Sequence, residues 1–312
     1  MHSSGGGVRG DFVGNWSLMS PVRRRRLFRF ALASTLLLVL GGLLTSWFVA
    51  GALVAASPRH LGKPPRDLNA VSFSIESDSG SLIAGWHTEP VDCDGVVILV
   101  HGIRGSRLTM LERARLLHAS RFATVMIDLQ AHGESTGDSI TIGHLEKHDV
   151  RAAVEYARRK HPSQPIGLVG VSLGGAAAVL ASPLDIDALV IESVYPDVDA
   201  AIHNRVSARL GPVAAIPSEL LLVQLGPRLG ISRSELRPID QISKVDCPVL
   251  VASGTADLHT TVSETRAIFN AARQPKELHL FDGAGHVDLL RFEPVEYRDQ
   301  IIGFLNRHLR AN

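Results

Sequence analysis

The hydrophobic pattern changes character along the chain. Residues 30–56, "FALASTLLLVLGGLLTSWFVAGALVAA", carry no charged side chain. About 20 such residues cross a bilayer as a helix, and no polar face interrupts the run. The next stretch, "SPRHLGKPPRDLN", is polar, and Pro64 and Pro65 block helix. Residues 57–67 therefore read as an extended linker. From Leu68 onward short apolar runs alternate with amphipathic ones. "AVSFSIES" and "LIAGWHTE", separated by "DSGS", alternate with period two and predict an antiparallel hairpin. Continuous apolar runs follow in "GVVILVHG", "ATVMIDL", "IGLVGVS", "ALVIES", "PVLVASG" and "ELHLFDG". Between them lie helical patterns in "LTMLERARLLHASR", "LEKHDVRAAVEYARRKH", "LGGAAAVLAS" and residues 262–272, and "PVEYRDQIIGFLNRHL" closes the chain as a helix. Strands separated by helices predict a mostly parallel sheet covered on both faces. Residues 195–245 lack strong strand runs and predict a small helical cap inserted into a domain of residues 68–312.

Charge sharpens the N-terminal reading. Lys and Arg total 32 against 31 Asp and Glu, but "RRRR" at Arg23, Arg24, Arg25 and Arg26, with Arg29, concentrates positive charge before the apolar run. Arg59, Lys63 and Arg66 follow it more thinly. The positive-inside rule puts residues 1–29 in the cytoplasm as a basic tail, the single-pass signal anchor at 30–56, Trp47 near the far interface and the remainder outside. A Gly- and Ser-containing, disordered stretch is expected over residues 1–22. A cleaved signal peptide stays open, because "AGA" at 50–52 is small enough for cleavage, although signal h-regions usually run about 7–15 residues. A buried helix of the globular part is the third reading. The rest of the chain is slightly acidic, which speaks against a nucleic-acid surface. Cys93 and Cys247 each precede an apolar run. On non-adjacent strands they would lie beyond disulfide reach. No zinc-type spacing occurs among the cysteines and the 14 scattered histidines, so no metal is expected.

Chemistry concentrates at the ends of the expected strands. "GVSLG" places Ser172 between Gly170 and Gly174 where an apolar strand turns into a small-residue helix. That G-x-S-x-G context exposes a serine above a sheet. A serine needs a base, and the base an orienting carboxylate. His286 in "FDGAGHVDLL" and Asp257 in "VASGTADLHTT" each follow a strand. Ser172, Asp257 and His286 are the catalytic candidates. An oxyanion needs aimed N–H groups, for which Leu173 and Ile103 in "LVHGIRG" are the candidates. His101, Gly102, Gly170 and Gly174 are read as supporting residues, with His101 bracing its loop rather than acting as base. Arg104 is open between binding an acidic substrate group and a solvated loop residue. "ELLLVQLG" is open between an acyl pocket and ordinary packing.

These segments, in this order, resemble the α/β-hydrolase superfamily, and most of all its serine aminopeptidase-like and prolyl-oligopeptidase-like branch. The likeness spans residues 68–309 through "VILVHGIRGS", "MIDLQAHGESTG", "GLVGVSLGG", "CPVLVASGTAD" and "DGAGHVDL". "GKPPRDL" before a hairpin is similar to membrane-anchored bacterial hydrolases of this kind. Asp128, His132, Gly133 and Ser135 match the branch's D-x-x-x-H-G-x-S stretch, read as a structural turn. The resemblance implies an α/β-hydrolase fold and cofactor-free cleavage of an ester, thioester or amide through an acyl-enzyme. It also raises Glu192 as an alternative acid, since some members place the acid there. An esterase acting on a small or lipid-like acyl substrate is the leading expectation. A peptidase, or a non-catalytic binding protein on the same fold, is the alternative. Protein partners, the natural substrate and the oligomeric state are left undetermined.

Overall fold

A computed structural model describes residues 20–310; the expected tail lies outside them over residues 1–19. The chain divides after Ser46 into two units, with Trp47 onward in the larger one. The first element is a single helix, α1 (Pro21–Val54), about 50 Å long at 1.5 Å per residue. By length and composition it can cross a bilayer. It starts before the expected anchor. Pro21 stands at its first position, where the missing N–H costs nothing, and Ser20 Oγ accepts the N–H of Arg23 (3.4 Å). Arginine is a good helix former, and the basic run is helical.

Residues 57–67 are not a free linker. Strand β1 (Ser57–Pro58) pairs in parallel with His132–Gly133. A 3-10 turn at Arg66–Leu68 buries Leu68. The hairpin follows as β2 (Val71–Glu76) and β3 (Leu82–Thr88), in antiparallel register from Val71 opposite His87 to Glu76 opposite Leu82. Next come β4 (Gly95–Val100), α2 (Leu111–Ala119), β5 (Phe122–Ile127), the short β6 (His132–Gly133), α3 (Glu146–Lys160), β7 (Ile166–Val171), α4 (Leu173–Ala181) and β8 (Ala188–Glu192). The insert supplies α5 (Val198–Leu210), α6 (Ala215–Leu222), α7 (Leu225–Leu229) and α8 (Pro238–Gln241). The chain ends through β9 (Val249–Gly254), α9 (Val262–Ala271), β10 (Lys276–Phe281), α10 (Leu289–Phe292), α11 (Pro294–Tyr297) and α12 (Gly303–Leu309). The expected closing helix is interrupted by a π-helical stretch at Arg298–Ile302.

The eight-stranded sheet has the order β10-β9-β8-β7-β4-β5-β3-β2. All its neighbours are parallel except those made by β3. Central β4 is buried at every position, as a strand covered on both faces must be. Its alternate side chains enter different cores: Val96, Ile98 and Val100 in one, Val97 and Leu99 in the other. Cys93 and Cys247 are free thiols beside the non-adjacent β4 and β9. The D-x-x-x-H-G-x-S stretch makes a braced turn. Buried Asp128 accepts the N–H groups of Arg107 (2.7 Å) and Glu134 (2.8 Å) and pairs with the Arg107 guanidinium. Ser135 Oγ donates to the Asp128 carbonyl (2.7 Å) and accepts from Ala84 N–H (2.9 Å).

Candidate active site

The C-terminal edge of the parallel strands collects the candidate residues, as the crossover topology dictates. Between β7 and α4, Ser172 has φ 49° and ψ −111°, a conformation a non-glycine residue holds only where its surroundings fix it. The fixing is visible on both sides. Ser172 N–H donates to the Glu192 carbonyl (2.8 Å), and its own carbonyl accepts from Ala176 (2.9 Å). A Cβ at Gly170 would lie 2.6 Å from the Gly175 backbone, and one at Gly174 only 2.5 Å from the Val100 carbonyl oxygen. The two glycines let strand and helix approach closely enough to form the bend. Ser172 Oγ is buried and has no hydrogen-bond partner among the described residues.

Asp257 and His286 come together because β9 and β10 are neighbours and their following loops are tied. Thr255 N–H donates to the Phe281 carbonyl (2.9 Å) and Ala256 N–H to the Ala284 carbonyl (2.8 Å). His286 Nδ1 lies 2.8 Å from Asp257 Oδ2, while Oδ1 accepts the N–H groups of His259 (2.8 Å) and Thr260 (2.9 Å). Burial alone would raise the Asp257 carboxyl. The His286 hydrogen bond and charge, with the two N–H groups, outweigh it and hold the carboxyl below its ordinary range. An ionised carboxylate only accepts, so His286 Nδ1 carries the proton and Nε2 is the basic nitrogen. The His259 ring stands 5.0 Å from the His286 ring, centroid to centroid.

The oxyanion candidates sit beside Ser172. Leu173 opens α4, so its N–H has no intrahelical acceptor. Ile103 and Leu173 line the same cavity as Ser172. His101 is fully committed: Nδ1 donates to the Gly102 carbonyl (2.7 Å), and Nε2 accepts from Leu129 N–H (3.1 Å). Burial first, then the nearby His132, push its pKa down to about 3, so it is a neutral brace for the loop. Gly102 comes close to the elbow, since a Cβ there would stand 3.5 Å from Ser172 Cβ.

Glu192 is held elsewhere. Its carboxylate pairs with Arg113 (2.7 Å) and accepts from Tyr297 Oη (2.5 Å), and Arg113 reaches on to Asp288 (3.0 Å). All three groups at the centre of this cluster are buried. The side chain is used by the fold, so the alternative acid suggested by the sequence is not the partner of His286. Arg104 is an exposed loop residue, and its guanidinium also donates to the carbonyls of Ala52 and Leu53 at the end of α1.

The cavity at Ser172, about 220 Å³, is lined by Ile142, Tyr195, Ala201, Ile202, Leu221, Leu225 and Leu229 around the elbow, and by Ala50, Leu53 and Val54. Leu221, Gln224 and Leu225 of "ELLLVQLG" reach it, whereas Leu222 and Leu225 pack with Val198, Ile231 and Leu236. That segment therefore both lines and packs. The charged lining residues are Arg104, Arg205 and Arg228, with no carboxylate among them. Sequence reasoning missed Tyr195, Arg205 and Arg228, because five arginines stand in the insert and nothing local separates Arg205 and Arg228 from Arg209, Arg233 and Arg237. One His87, Glu89 and His161 group has ligand-type atoms within 4.8 Å, at the opposite sheet edge, where His87 and Thr88 pair with Val125 and Thr124.

Comparison with known proteins agrees with this architecture. Residues 92–215 match the family model described as serine aminopeptidase, S33. The uncharacterised Bacillus subtilis protein YqkD is 26% identical over 246 residues, covering 77% of this chain and 80% of that protein. Human monoglyceride lipase is 23% identical over 269 residues, covering 74% and 88%. A Pyrococcus furiosus esterase structure superposes with TM-score 0.69 at 24% identity, covering 82% of this chain and 98% of that one. With its sheet order and its motifs at the strand ends, the chain has the α/β-hydrolase fold.

Proposed function

We propose that the protein is a membrane-anchored serine hydrolase that cleaves carboxylic esters. Ser172 Oγ attacks the ester carbonyl carbon while its proton passes to His286 Nε2. Asp257 holds the Nδ1 proton and stabilises the imidazolium. The oxyanion is received by the N–H groups of Ile103 and Leu173. The C–O bond to the leaving alcohol breaks as Nε2 returns the proton to it. Water then attacks the acyl-enzyme, gives its proton to Nε2, and the acid leaves as that proton returns to Ser172 Oγ. No cofactor enters the cycle. In the same reading α1 is the anchor, its basic start is cytoplasmic, the hydrolase domain is outside, and the insert is the cap.

The observation that carries the ester reading is the cavity lining. An aminopeptidase must receive a substrate ammonium, which calls for an anionic partner. The charges lining this cavity are all arginines, and the rest of the wall is mainly apolar. That surface suits an acyl chain. The test compares p-nitrophenyl esters with aminoacyl p-nitroanilides on the full-length protein in detergent. Ester turnover should dominate by at least tenfold; an anilide preference overturns the reading in favour of a peptidase.

A further inference from the structure

We infer that the last two turns of α1 form one wall of the acyl-binding site, so that the enzyme accommodates a linear acyl chain against its own apolar helix. The inference rests on Ser172 as nucleophile. Residues from Trp47 onward belong to the same compact unit as the sheet, and within it Ala50, Leu53 and Val54 line the cavity that contains Ser172 and Leu173. Ile202 and Leu225 line it from the insert.

The helix end is held there by specific contacts. The last turn of α1 contains no basic residue, and terminal carbonyls of a helix need partners from outside. The hydrolase domain supplies them. Arg104 donates to the Ala52 carbonyl and to that of Leu53 (3.2 Å). Ile140 N–H donates to the Val54 carbonyl (2.8 Å). Further back, inside the helix rather than at its orphaned end, Arg228 donates to the Trp47 carbonyl (2.5 Å) and lies 4.0 Å over the Trp47 ring. Positive charge is also favourable at a helix C-terminus. Arg104 adjoins Ile103 in the candidate oxyanion loop, and Arg228 belongs to α7. The helix end is thus fixed to both sides of the site. A passive tether would need neither arginine.

Beside Ser172 the cavity walls are mainly apolar, so each methylene laid against them gains burial. The test uses the full-length protein in detergent, with kcat/KM measured on p-nitrophenyl butyrate, octanoate and palmitate. Ala50→Phe narrows the α1 wall and Leu53→Ala widens it. Each methylene excluded from an apolar wall costs about fourfold. If Ala50→Phe displaces two, the octanoate-to-butyrate ratio should fall about 15-fold. Leu53→Ala should instead shift preference toward palmitate, and it decides the matter if Ala50→Phe does not fold. Unchanged ratios in folded variants that still take a fluorophosphonate at Ser172 overturn the wall alone. A wild type that takes no label at Ser172 overturns the nucleophile on which the wall depends.

Discussion

Replacing Glu192 by Gln separates folding from catalysis. Glu192 is 1% exposed and Arg113 2%, and their ion pair is completed by Tyr297 and Asp288. Removing one partner of a buried pair costs about 3–5 kcal/mol, because the other charge is left uncompensated. Gln keeps one oxygen to accept from Tyr297, and Asp288 still faces Arg113, so the cost falls just below that range, about 2–3 kcal/mol. For a domain of this size that lowers Tm by roughly 5–10 °C. Turnover per folded molecule should stay within a few-fold of wild type, because His286 is oriented by Asp257 (2.8 Å). The assay pairs thermal unfolding with p-nitrophenyl ester turnover well below the lowered Tm. An E192Q protein with wild-type Tm and no turnover would refute the assignment of Glu192 to the fold and restore it as the acid.

Asp257→Asn should lower kcat by about 10³–10⁴-fold, since the amide favours the wrong imidazole tautomer; a loss under tenfold would contradict the Asp257–His286 geometry. Gly174→Ala places a methyl 2.5 Å from the Val100 carbonyl oxygen and should destabilise by about 1–3 kcal/mol, read by urea unfolding; an unchanged midpoint would show that the elbow has room. Stability should also fall on acidification because of His101. Its folded pKa of about 3 lies below the ordinary 6.5, so between these values the unfolded chain binds more protons. His101 thus leaves stability intact above pH 6.5 and lowers it as pH drops toward 3. Urea midpoints at pH 8, 6 and 4.5 in wild type and His101→Gln should show a weaker acid loss in the variant; identical slopes would contradict a neutral buried His101.

Local pattern carried much of the fold. Five of the runs became the buried strands β4, β5, β7, β8 and β9 because each is short, apolar and bounded by turn residues, and the sixth became the half-buried edge strand β10. Ser172, Asp257 and His286 were legible as strand-end residues, and the structure brings Asp257 against His286 and opens the Ser172 bend onto the cavity. Contacts between distant segments were not legible. Nothing in "SPRHLG" signals that Ser57 pairs with His132, because a two-residue strand has no period to detect. Arg113 and Glu192 stand 79 positions apart, and only the packing of α2 against the strand ends shows that they neutralise each other. Arg104 carries the same lesson: it is exposed as a loop arginine should be, but only the fold places the helix end that it caps beside it.

The most direct test of the account is the site of fluorophosphonate attachment in the full-length protein, mapped by mass spectrometry. Modification should fall on Ser172, disappear in Ser172→Ala and slow sharply in His286→Ala. A folded wild type that stays unlabelled, or a label on another residue that persists in Ser172→Ala, would contradict the claim that Ser172 is the nucleophile.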